Sequence, residues 1–506
     1  MGCSEIFGLA IMRSTPETRA FYYDVLFRAP LFISILFLST VFLKFANEEA
    51  GCTEAGYDIG AGQTEEEADA AEVKCTGRAY GIRPSSVLTT LNSAAGLILA
   101  FLLPVIGSII DHTSYRKQCV VYAGAVFWLS NLVQCFTNSD SWFAMVVIQG
   151  AVSATSYMIH QTAIFAYATE IVDDLDKELL HMNASVRVWE LVTMLGFMVL
   201  VTIVGMIGRF DVVAKSSTSQ ALAGLIAAYP GYVVFKDLGN RPNLNKVPAG
   251  SSVLTAGFNK VFKTARFLRA SHPEVLKFLR ALLFFESANG SIIFASTTLI
   301  TQQLKIEDPS PILLSIIVIS AFGAGLVPLL HRNLGVKKGM MLVVGFNVVA
   351  SLIVILFVHS EETAGGIWIV GILYGLGIGA TYPMQRTFYM ILIPGGLETQ
   401  MMGLLQFCSI FLGWAPGLVF TALNESTNDM RLAMFSILGF HLAGILLLGL
   451  VDVEKGRAQA KKTDHLRIHN GAGGGGKGGG LKVVNGEDQD LVAVELGGED
   501  IGDDHL

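Results

Sequence analysis

Residues 101–120 read FLLPVIGSIIDHTSYRKQCV, a long apolar run that a short polar turn stops. The turn keeps Gly107, Asp111, Arg116 and Lys117 in a fixed order. A glycine near the end of a membrane helix lets a second helix approach closely. An acid followed by two bases at the lipid boundary supplies charges that can pair across neighbouring helix ends. The stretch predicts two membrane helices joined by a charged turn whose four residues have a gating role; an ordinary basic stop after a membrane helix is the alternative.

The composition of the 506 residues indicates a membrane protein. Hydrophobic residues make up 52% of the chain and charged residues 15%, and the mean hydropathy is +0.54. A soluble domain carries roughly 25% charged residues, so most of this chain is expected to lie in lipid. No basic patch accompanies the net charge of -7, which argues against nucleic-acid binding. The sequence has no phosphate-binding loop, nucleophile elbow or metal-spaced His and Cys cluster, so we expect neither an enzyme nor a cofactor.

The apolar runs predict an all-α membrane protein with twelve transmembrane helices in two six-helix bundles, because about 20 apolar residues cross a bilayer. The predicted spans are 22–46, 85–110, 118–137, 142–168, 187–208, 220–235, 278–301, 311–330, 339–358, 367–392, 401–423 and 432–452. They define a cytoplasmic N-terminus (1–21), an N-terminal bundle (22–235), a cytoplasmic linker with an amphipathic helix (236–277), a C-terminal bundle (278–452) and a Gly-rich and acidic tail (453–506). The tail is expected to be disordered because it has little apolar surface to bury.

The charges of the loops predict the orientation. Basic residues follow the second, sixth, eighth and twelfth spans, which places these loops and both termini in the cytoplasm. The opposite loop, 47–84, is acidic and holds Cys52 and Cys75. An oxidising lumen would let these cysteines pair, and two unpaired thiols are the alternative. Gly335, Lys337 and Lys338 weakly repeat the first half's turn, as expected of two bundles that pivot around a site between them.

Polar side chains inside the spans mark the candidate site, because a charge at the centre of a membrane helix costs about 2.5 to 3.5 kcal/mol or more. They occur in the first, fourth, seventh and tenth spans. The candidate solute-binding residues are Arg28, His160, Gln161, Glu286, Asn289, Gln385 and Arg386. Each has a structural alternative: the arginines can anchor a helix at an interface, and the histidine can be a hydrogen-bonded core residue.

These side chains favour a small polar solute as the partner. Arg28 or Arg386 would hold a carboxylate, and Glu286 would hold an ammonium group or a coupled proton. Gln385, Asn289 and His160 would orient the solute by hydrogen bonds. If Glu286 only packs, the proton would reside at Asp24 or His160. The expected partners are the solute, with or without a coupled proton, and the lipid bilayer; we expect no nucleic acid, and a monomer is favoured.

Two stretches resemble known families. The turn at 107–117 resembles the loop between the second and third helices of the major facilitator superfamily. The stretch 375–417, GLGIGATYPMQRTFYMILIPGGLETQMMGLLQFCSIFLGWAPG, resembles the signature of the vacuole effluxer family named for autophagy-related protein twenty-two. The matching residues are Gln385, Ile393, Pro394, Glu398, Gly403, Leu404, Gly413, Pro416 and Gly417.

The resemblance implies the major facilitator fold and the efflux of amino acids from a vacuole or lysosome-like compartment into the cytoplasm. It also implies a multi-pass protein of the vacuolar membrane, with the plasma membrane as the alternative. The chain departs from the family pattern at two places. Arg386, Thr387 and Phe388 replace the usual Ser-Arg-Ser, and Asn289 replaces the acid of an Asp-Gly pair, which leaves Glu286 as the nearby acid on the same helix face.

Two other functions stay open. A transceptor or scaffold would bind cytoplasmic partners through the acidic tail and move little solute. A facilitator for phosphate, a sugar or a drug-like amphiphile would share the same spans. Charges inside the spans favour a polar solute over an amphiphile, and the small number of bases within them argues against a dedicated phosphate carrier.

The opposed loop charges generate a topology prediction. A tag placed within 55–70 should be shielded from the cytoplasm, and a tag within 240–255 should be exposed to it, because basic loops stay on the cytoplasmic side. Protease protection in sealed vesicles measures both. Cytoplasmic exposure of both tags would contradict the twelve-span arrangement.

Overall fold

The protein is almost entirely helical. The computed structural model describes residues 15–52, 77–171, 178–240, 252–306, 309–358, 361–394 and 398–461. Within these ranges the β-structure is limited to one isolated bridge between Ala79 and Ile82. The prediction of an all-α membrane protein is confirmed.

The first half of the described chain contains seven helices. The first begins after Thr15, whose hydroxyl accepts a hydrogen bond from the Thr18 N–H, and Pro16 occupies its first turn; both residue types favour a helix start. The helices are α1 (Pro16–Glu49), α2 (Val87–His112), α3 (Arg116–Gln134), α4 (Trp142–Val147), α5 (Ala154–Ile171), α6 (Glu178–Gly208) and α7 (Val212–Asp237). A π-helical turn, Ile148–Ser153, joins α4 to α5.

The second half begins with a helix in the linker. The remaining helices are α8 (Val253–Ser271), α9 (Pro273–Thr298), α10 (Ser310–Phe357), α11 (Ile367–Leu392), α12 (Glu398–Phe411), α13 (Ala415–Thr427) and α14 (Met430–Gly449). In α8, Gly257 lies against the backbone of Pro104 in α2, whereas Leu268 packs in the core of the second half. The linker helix therefore contacts both halves of the chain.

Nine helical segments of the described chain are long and apolar enough to cross a membrane. One of them, α10, covers the predicted eighth and ninth spans in 48 residues and is interrupted at Gly335, where φ is 75°; glycine adopts this conformation without strain. The helices at the predicted third and sixth spans, α3 and α7, are not among the nine. The helix α7 is 26 residues long and contains Pro230, so it extends beyond the predicted sixth span, 220–235. The total of twelve spans stays a prediction.

Large apolar side chains cover the outer surface of the helices. Phe136 is 76% exposed, Ile207 81% and Leu446 71%. Such exposure is unfavourable in water, but it is expected where helices with internally satisfied backbones face lipid. The apolar surface thus agrees with a position in the bilayer.

Glycines bring α10 and α11 into close contact. Gly371, Gly375 and Gly379 recur every four residues along α11 and face α10. A Cβ at Gly375 would lie 2.9 Å from Ile319 Cβ, and one at Gly379 would lie 1.9 Å from the backbone oxygen of Ser320. Small residues at this spacing let membrane helices pack backbone to backbone. This packing fixes α11, the helix that carries two of the predicted site residues.

Gly379→Ala should therefore destabilise the protein, because the added methyl group meets backbone that cannot turn aside. We expect a lower unfolding temperature of the purified protein in detergent, from a cost of about 1 to 3 kcal/mol. Gly345→Ala in α10 is the control, since a Cβ there meets nothing within 4 Å. Equal stability of the two variants would contradict the close packing.

Candidate functional site

A buried cluster of charged side chains joins α1 to α6. Arg28 is 1% exposed, Asp24 2% and Glu190 4%. Arg28 Nε donates a hydrogen bond to Asp24 Oδ2 at 2.9 Å, and Arg28 Nη1 donates to Glu190 Oε1. The guanidinium also lies over the ring of Phe165 in α5, 5.6 Å from its centroid. Because removing one partner of a buried ion pair costs about 3 to 5 kcal/mol, this cluster holds the helices together.

His160 extends the cluster to α3 and α5. Its Nε2 lies 2.5 Å from Asp24 Oδ1, and its Nδ1 lies 2.8 Å from the carbonyl oxygen of Val120. Gly124 in α3 leaves room for the ring, because a Cβ there would lie 2.8 Å from Nδ1. Both ring nitrogens are thus engaged, and Asp24 connects the imidazole to the guanidinium of Arg28.

A second polar cluster lies in the second half and consists of amides and an imidazole. Asn289 Oδ1 in α9 accepts hydrogen bonds from Asn347 Nδ2 of α10 at 2.9 Å and from His441 Nε2 of α14 at 3.1 Å. Gly377 in α11 provides the space, because a Cβ there would lie 2.0 Å from Asn347 Oδ1. Asn289, where the family pattern has an acid, therefore ties together three helices of its own half.

Only some of the predicted site residues belong to these two clusters. Arg28 and His160 belong to the first cluster and Asn289 to the second. Glu286 is partly buried in α9, three residues before Asn289. The structure therefore does not gather these residues at one point, although it brings Arg28 and His160 together.

Three further predicted residues, like Glu286, are not part of either cluster. Gln161 is partly buried next to His160 in α5. Gln385 in α11 is 3% exposed, and its Oε1 accepts no hydrogen bond from the described residues. Arg386 is partly buried and stacks over the ring of Tyr382, 4.3 Å from the centroid. Both residues of α11 thus present polar atoms for a further partner.

The turn at 107–117 is held by its bases. Arg116 Nη2 donates to the carbonyl oxygen of Ile110 at 3.4 Å, and its guanidinium lies 5.5 Å from the ring centroid of Tyr167. Lys117 Nζ lies 5.4 Å from the ring centroid of Phe235 in α7. A Cβ at Gly107 would meet nothing within 4 Å, so this conformation does not show the close helix approach that we expected there. Asp111, the acid of the turn, lies in the last turn of α2, and its side chain lies outside the described part of the structure.

The corresponding turn of the second half makes a related contact. Lys337 Nζ donates to the carbonyl oxygens of Gly449 and Val451 at the end of α14, both at 2.7 Å. Cations favour the C-terminal end of a helix. In each half, a lysine of the turn contacts the end of a later helix, Lys117 at α7 and Lys337 at α14. The weak sequence repeat therefore has a counterpart in the structure.

The two halves meet where α2 begins and α13 ends, in a set of contacts that we call the α2–α13 seam. Asn424 Nδ2 donates to Ser85 Oγ at 2.7 Å and to Ser86 Oγ at 2.9 Å. The hydroxyls of Thr89 and Thr421 lie 2.8 Å apart. Polar side chains thus hold the two halves together at the end that is predicted to face the lumen.

Charges complete the α2–α13 seam. Arg78 Nη1 lies 2.9 Å from Glu425 Oε2, and Arg83 Nε lies 3.7 Å from the same oxygen. At the end of α1, Cys52 is disulfide-bonded to a partner outside the described residues. An oxidised cysteine agrees with the predicted luminal side of this loop, and its pairing with Cys75 stays a prediction.

A glycine of the vacuole effluxer signature lies in the α2–α13 seam. A Cβ at Gly417 would lie 2.6 Å from Ser93 Oγ and 3.1 Å from the carbonyl oxygen of Thr89. In the same helix pair, Gly96 lies against the backbone of Trp414. The signature therefore contributes to the closure of the two halves as well as to α11.

Several functional side chains were missed in the sequence. Glu190, near the start of the predicted fifth span, was not singled out, and only its contact with Arg28 shows its place. Asn347 and His441 lie within predicted spans, and their polarity there was an available signal. Glu425, in the last turn of α13, and its arginine partners lie outside the predicted spans, where charges are common, so nothing in the sequence singled them out.

The chain is similar in sequence to a family of transporters. The family model described as vacuole effluxer Atg22 like matches residues 15–461. An uncharacterized MFS-type transporter of Bacillus subtilis, YxiO, is 20% identical over 375 residues, which cover 73% of this chain and 86% of that protein. Autophagy-related protein 22-2 of Aspergillus niger is 26% identical over 230 residues, which cover 42% of this chain and 37% of that protein.

Solved structures of transporters share the fold. A mutant of the nucleoside transporter NupG has a TM-score of 0.57 at 11% identity and covers 88% of this chain and 99% of that chain. The human organic anion transporter MFSD10 has a TM-score of 0.56 at 14% identity and covers 86% of this chain and 99% of that chain. At such identities the likeness concerns the fold alone.

The α2–α13 seam generates a prediction about the conformational equilibrium. Gly417→Val should keep α13 from approaching α2 and so favour a form open at the predicted luminal end. A cysteine introduced by Thr421→Cys, with Cys119, Cys135 and Cys408 replaced by serine, should then react faster with an impermeant maleimide from that side. Gly439→Val in α14 is the control, since a Cβ there meets nothing within 4 Å. Unchanged labelling in the Gly417 variant would contradict the gating role of the seam.

Proposed function

Because this chain belongs to the family of Atg22-like vacuole effluxers, we propose that it moves amino acids from a vacuole or lysosome-like compartment into the cytoplasm by alternating access. The chain is a membrane transporter of the major facilitator type, and it is a multi-pass protein of the vacuolar membrane. The solute, the direction and the arrangement of twelve spans in two bundles belong to the proposal.

The observation that carries the proposal is the α2–α13 seam. Alternating access requires that two halves close at one end while the other end admits the solute. The seam joins the two halves through hydroxyls, an amide and the arginine pairs of Glu425. Polar contacts of this kind exchange readily for contacts with water, as a closure that opens in every transport cycle requires.

An amino acid presents a carboxylate and an ammonium group, so its site needs charges of both signs. We assign the carboxylate to Arg386, because Arg28 is already paired with two carboxylates whereas Arg386 forms no ion pair with a described side chain. Glu286 would hold the ammonium group. Gln385, whose Oε1 is open to a donor, would orient the solute.

The proposal is tested by transport into liposomes that contain the purified protein. We expect uptake of at least one member of a panel of amino acids, with and without a pH gradient, above that of liposomes without protein. Uptake of a sugar or phosphate in place of every amino acid would overturn the solute class. A folded protein that transports nothing in the panel would support the transceptor or scaffold alternative.

The role of Glu286 predicts a selective loss. Glu286→Gln should raise the apparent KM for an amino acid at least about tenfold, which corresponds to a loss of about 1.4 kcal/mol. Transport of the same compound without its amino group should change little, because it lacks the group that Glu286 would hold. Glu362→Gln, at an exposed position, is the control. If both compounds lost affinity equally, Glu286 would have a structural role.

A further inference from the structure

The hydrogen bonds of His160 determine where its protons are. Nδ1 faces the carbonyl oxygen of Val120 at 2.8 Å, and a carbonyl oxygen can only accept, so Nδ1 carries a hydrogen. Nε2 faces Asp24 Oδ1 at 2.5 Å. An ionised carboxylate also only accepts, so this second contact needs a hydrogen that neither a neutral imidazole with Nδ1–H nor an ionised carboxylate supplies. One additional proton must therefore lie between His160 and Asp24.

We propose that the Asp24–His160 pair is the binding site of the proton that is coupled to transport. This inference deepens the proposed function and rests on it. The sequence alone favoured Glu286 for the proton, with Asp24 and His160 as the alternatives. With the proton at the Asp24–His160 pair, Glu286 is left to hold the solute's ammonium group.

The surroundings of the pair stabilise the proton. Asp24 also accepts from Arg28, which in turn donates to Glu190. When the shared proton is counted, these four side chains carry two positive and two negative charges, which lowers the cost of their burial. The titratable or charged groups around the pair are Arg28 from α1, Glu190 from α6 and, across a cavity, Tyr232 from α7. Tyr157 from α5 interacts with Arg28.

A cavity gives the imidazole an approach from outside. His160 lines a cavity of about 240 Å³ between α3 and α7, together with Val120, Gly124, Gly231 and Phe235. Val120 lies one turn after the start of α3, and Phe235 lies in the last turn of α7; both helix ends are predicted to be cytoplasmic. A proton that leaves the pair on this side would pass to water at the cytoplasmic surface.

Release of the proton would change the contact between α1 and α5. Without it, the lone pair of His160 Nε2 faces the carboxylate of Asp24, and two acceptors repel each other at this distance. The pair must then separate or take another donor, so α5 is freed from α1. Protonation would in this way bias the arrangement of the first half, as a ligand does when it binds one conformation better than another.

Transport by variants that keep the shape of the pair tests the inference. Asp24→Asn and His160→Gln each place an amide donor in the contact, so the helices stay linked without a titrating proton. In liposomes whose outside is one pH unit more acidic than their inside, the wild type should accumulate its amino acid inside. If one proton moves with each solute, the inside concentration should reach up to about ten times the outside concentration. Both variants should reach only equal concentrations inside and outside while still exchanging labelled for unlabelled solute.

The matched control is Asp211→Asn. Asp211 is an exposed N-cap whose side chain accepts from the Ala214 N–H, and asparagine caps helices equally well. This variant should accumulate solute as the wild type does. Accumulation by Asp24→Asn as steep as that of the wild type would overturn the inference. Loss of accumulation in Glu286→Gln, with full accumulation in Asp24→Asn, would assign the proton to Glu286.

A measurement without solute separates this inference from the proposed function. In protein labelled with ¹⁵N-histidine, the signals of His160 are identified by their absence in His160→Gln. At neutral pH its Nε2 should show the shift of a nitrogen that carries or shares a proton, and in Asp24→Asn it should show the shift of an unprotonated ring nitrogen. Identical Nε2 shifts in the wild type and Asp24→Asn would overturn the proton site. A wild type that exchanges no amino acid would instead contradict the proposed function.

Discussion

The buried guanidinium of Arg28 is the constraint on which the first half depends. A charge within a membrane bundle needs nearby opposite charges, because neither lipid nor protein interior solvates it. Arg28 obtains one from Asp24 on its own helix and one from Glu190, 162 residues away in sequence. The second oxygen of Asp24 then contacts His160. The need to compensate one cation thus sets the positions of α1, α5 and α6 relative to one another.

The charged cluster and the contacts between the halves lie at opposite ends of α1. Asp24 is near the predicted cytoplasmic end, whereas Phe45 packs with Leu88 and Trp142 near the α2–α13 seam, in a core that also includes Phe294 of the second half. The 21 residues between Asp24 and Phe45 span about 30 Å of helix. A tilt of α1 that follows a change at Asp24 would therefore be transmitted to the contacts between the halves. This connection requires only a continuous helix and no separate series of contacts.

Apolar runs in the sequence were sufficient to predict the helical class and most helix positions, and the stretch 375–417 was sufficient for the family, but the pairing of polar groups could not be predicted. The predicted span 367–392 coincides with α11, because its apolar run ends where the helix ends. Residues 215–219 near the start of α7 are polar, so the apolar run predicted a sixth helix shorter than the one observed. Arg28 and His160 were singled out as polar residues within spans, and Asp24 was named as an alternative proton site, but the contacts of Asp24 with both residues were not predicted. A single sequence carries no information on which distant side chains meet, so Glu190 and the α2–α13 seam appear only in the structure.

The two polar clusters differ in what they can do with a proton. In the second half, Asn289 Oδ1 accepts from an amide and from an imidazole N–H, and both hydrogen bonds form with neutral side chains. In the first half, the contact between Asp24 and His160 requires a proton that the neutral imidazole and the ionised acid do not supply. The replacement of an acid by Asn289 therefore leaves the second cluster as a fixed link among α9, α10 and α14. With the proposed proton at the Asp24–His160 contact, proton binding and release would move α5 against α1 while the core of the second half keeps its arrangement.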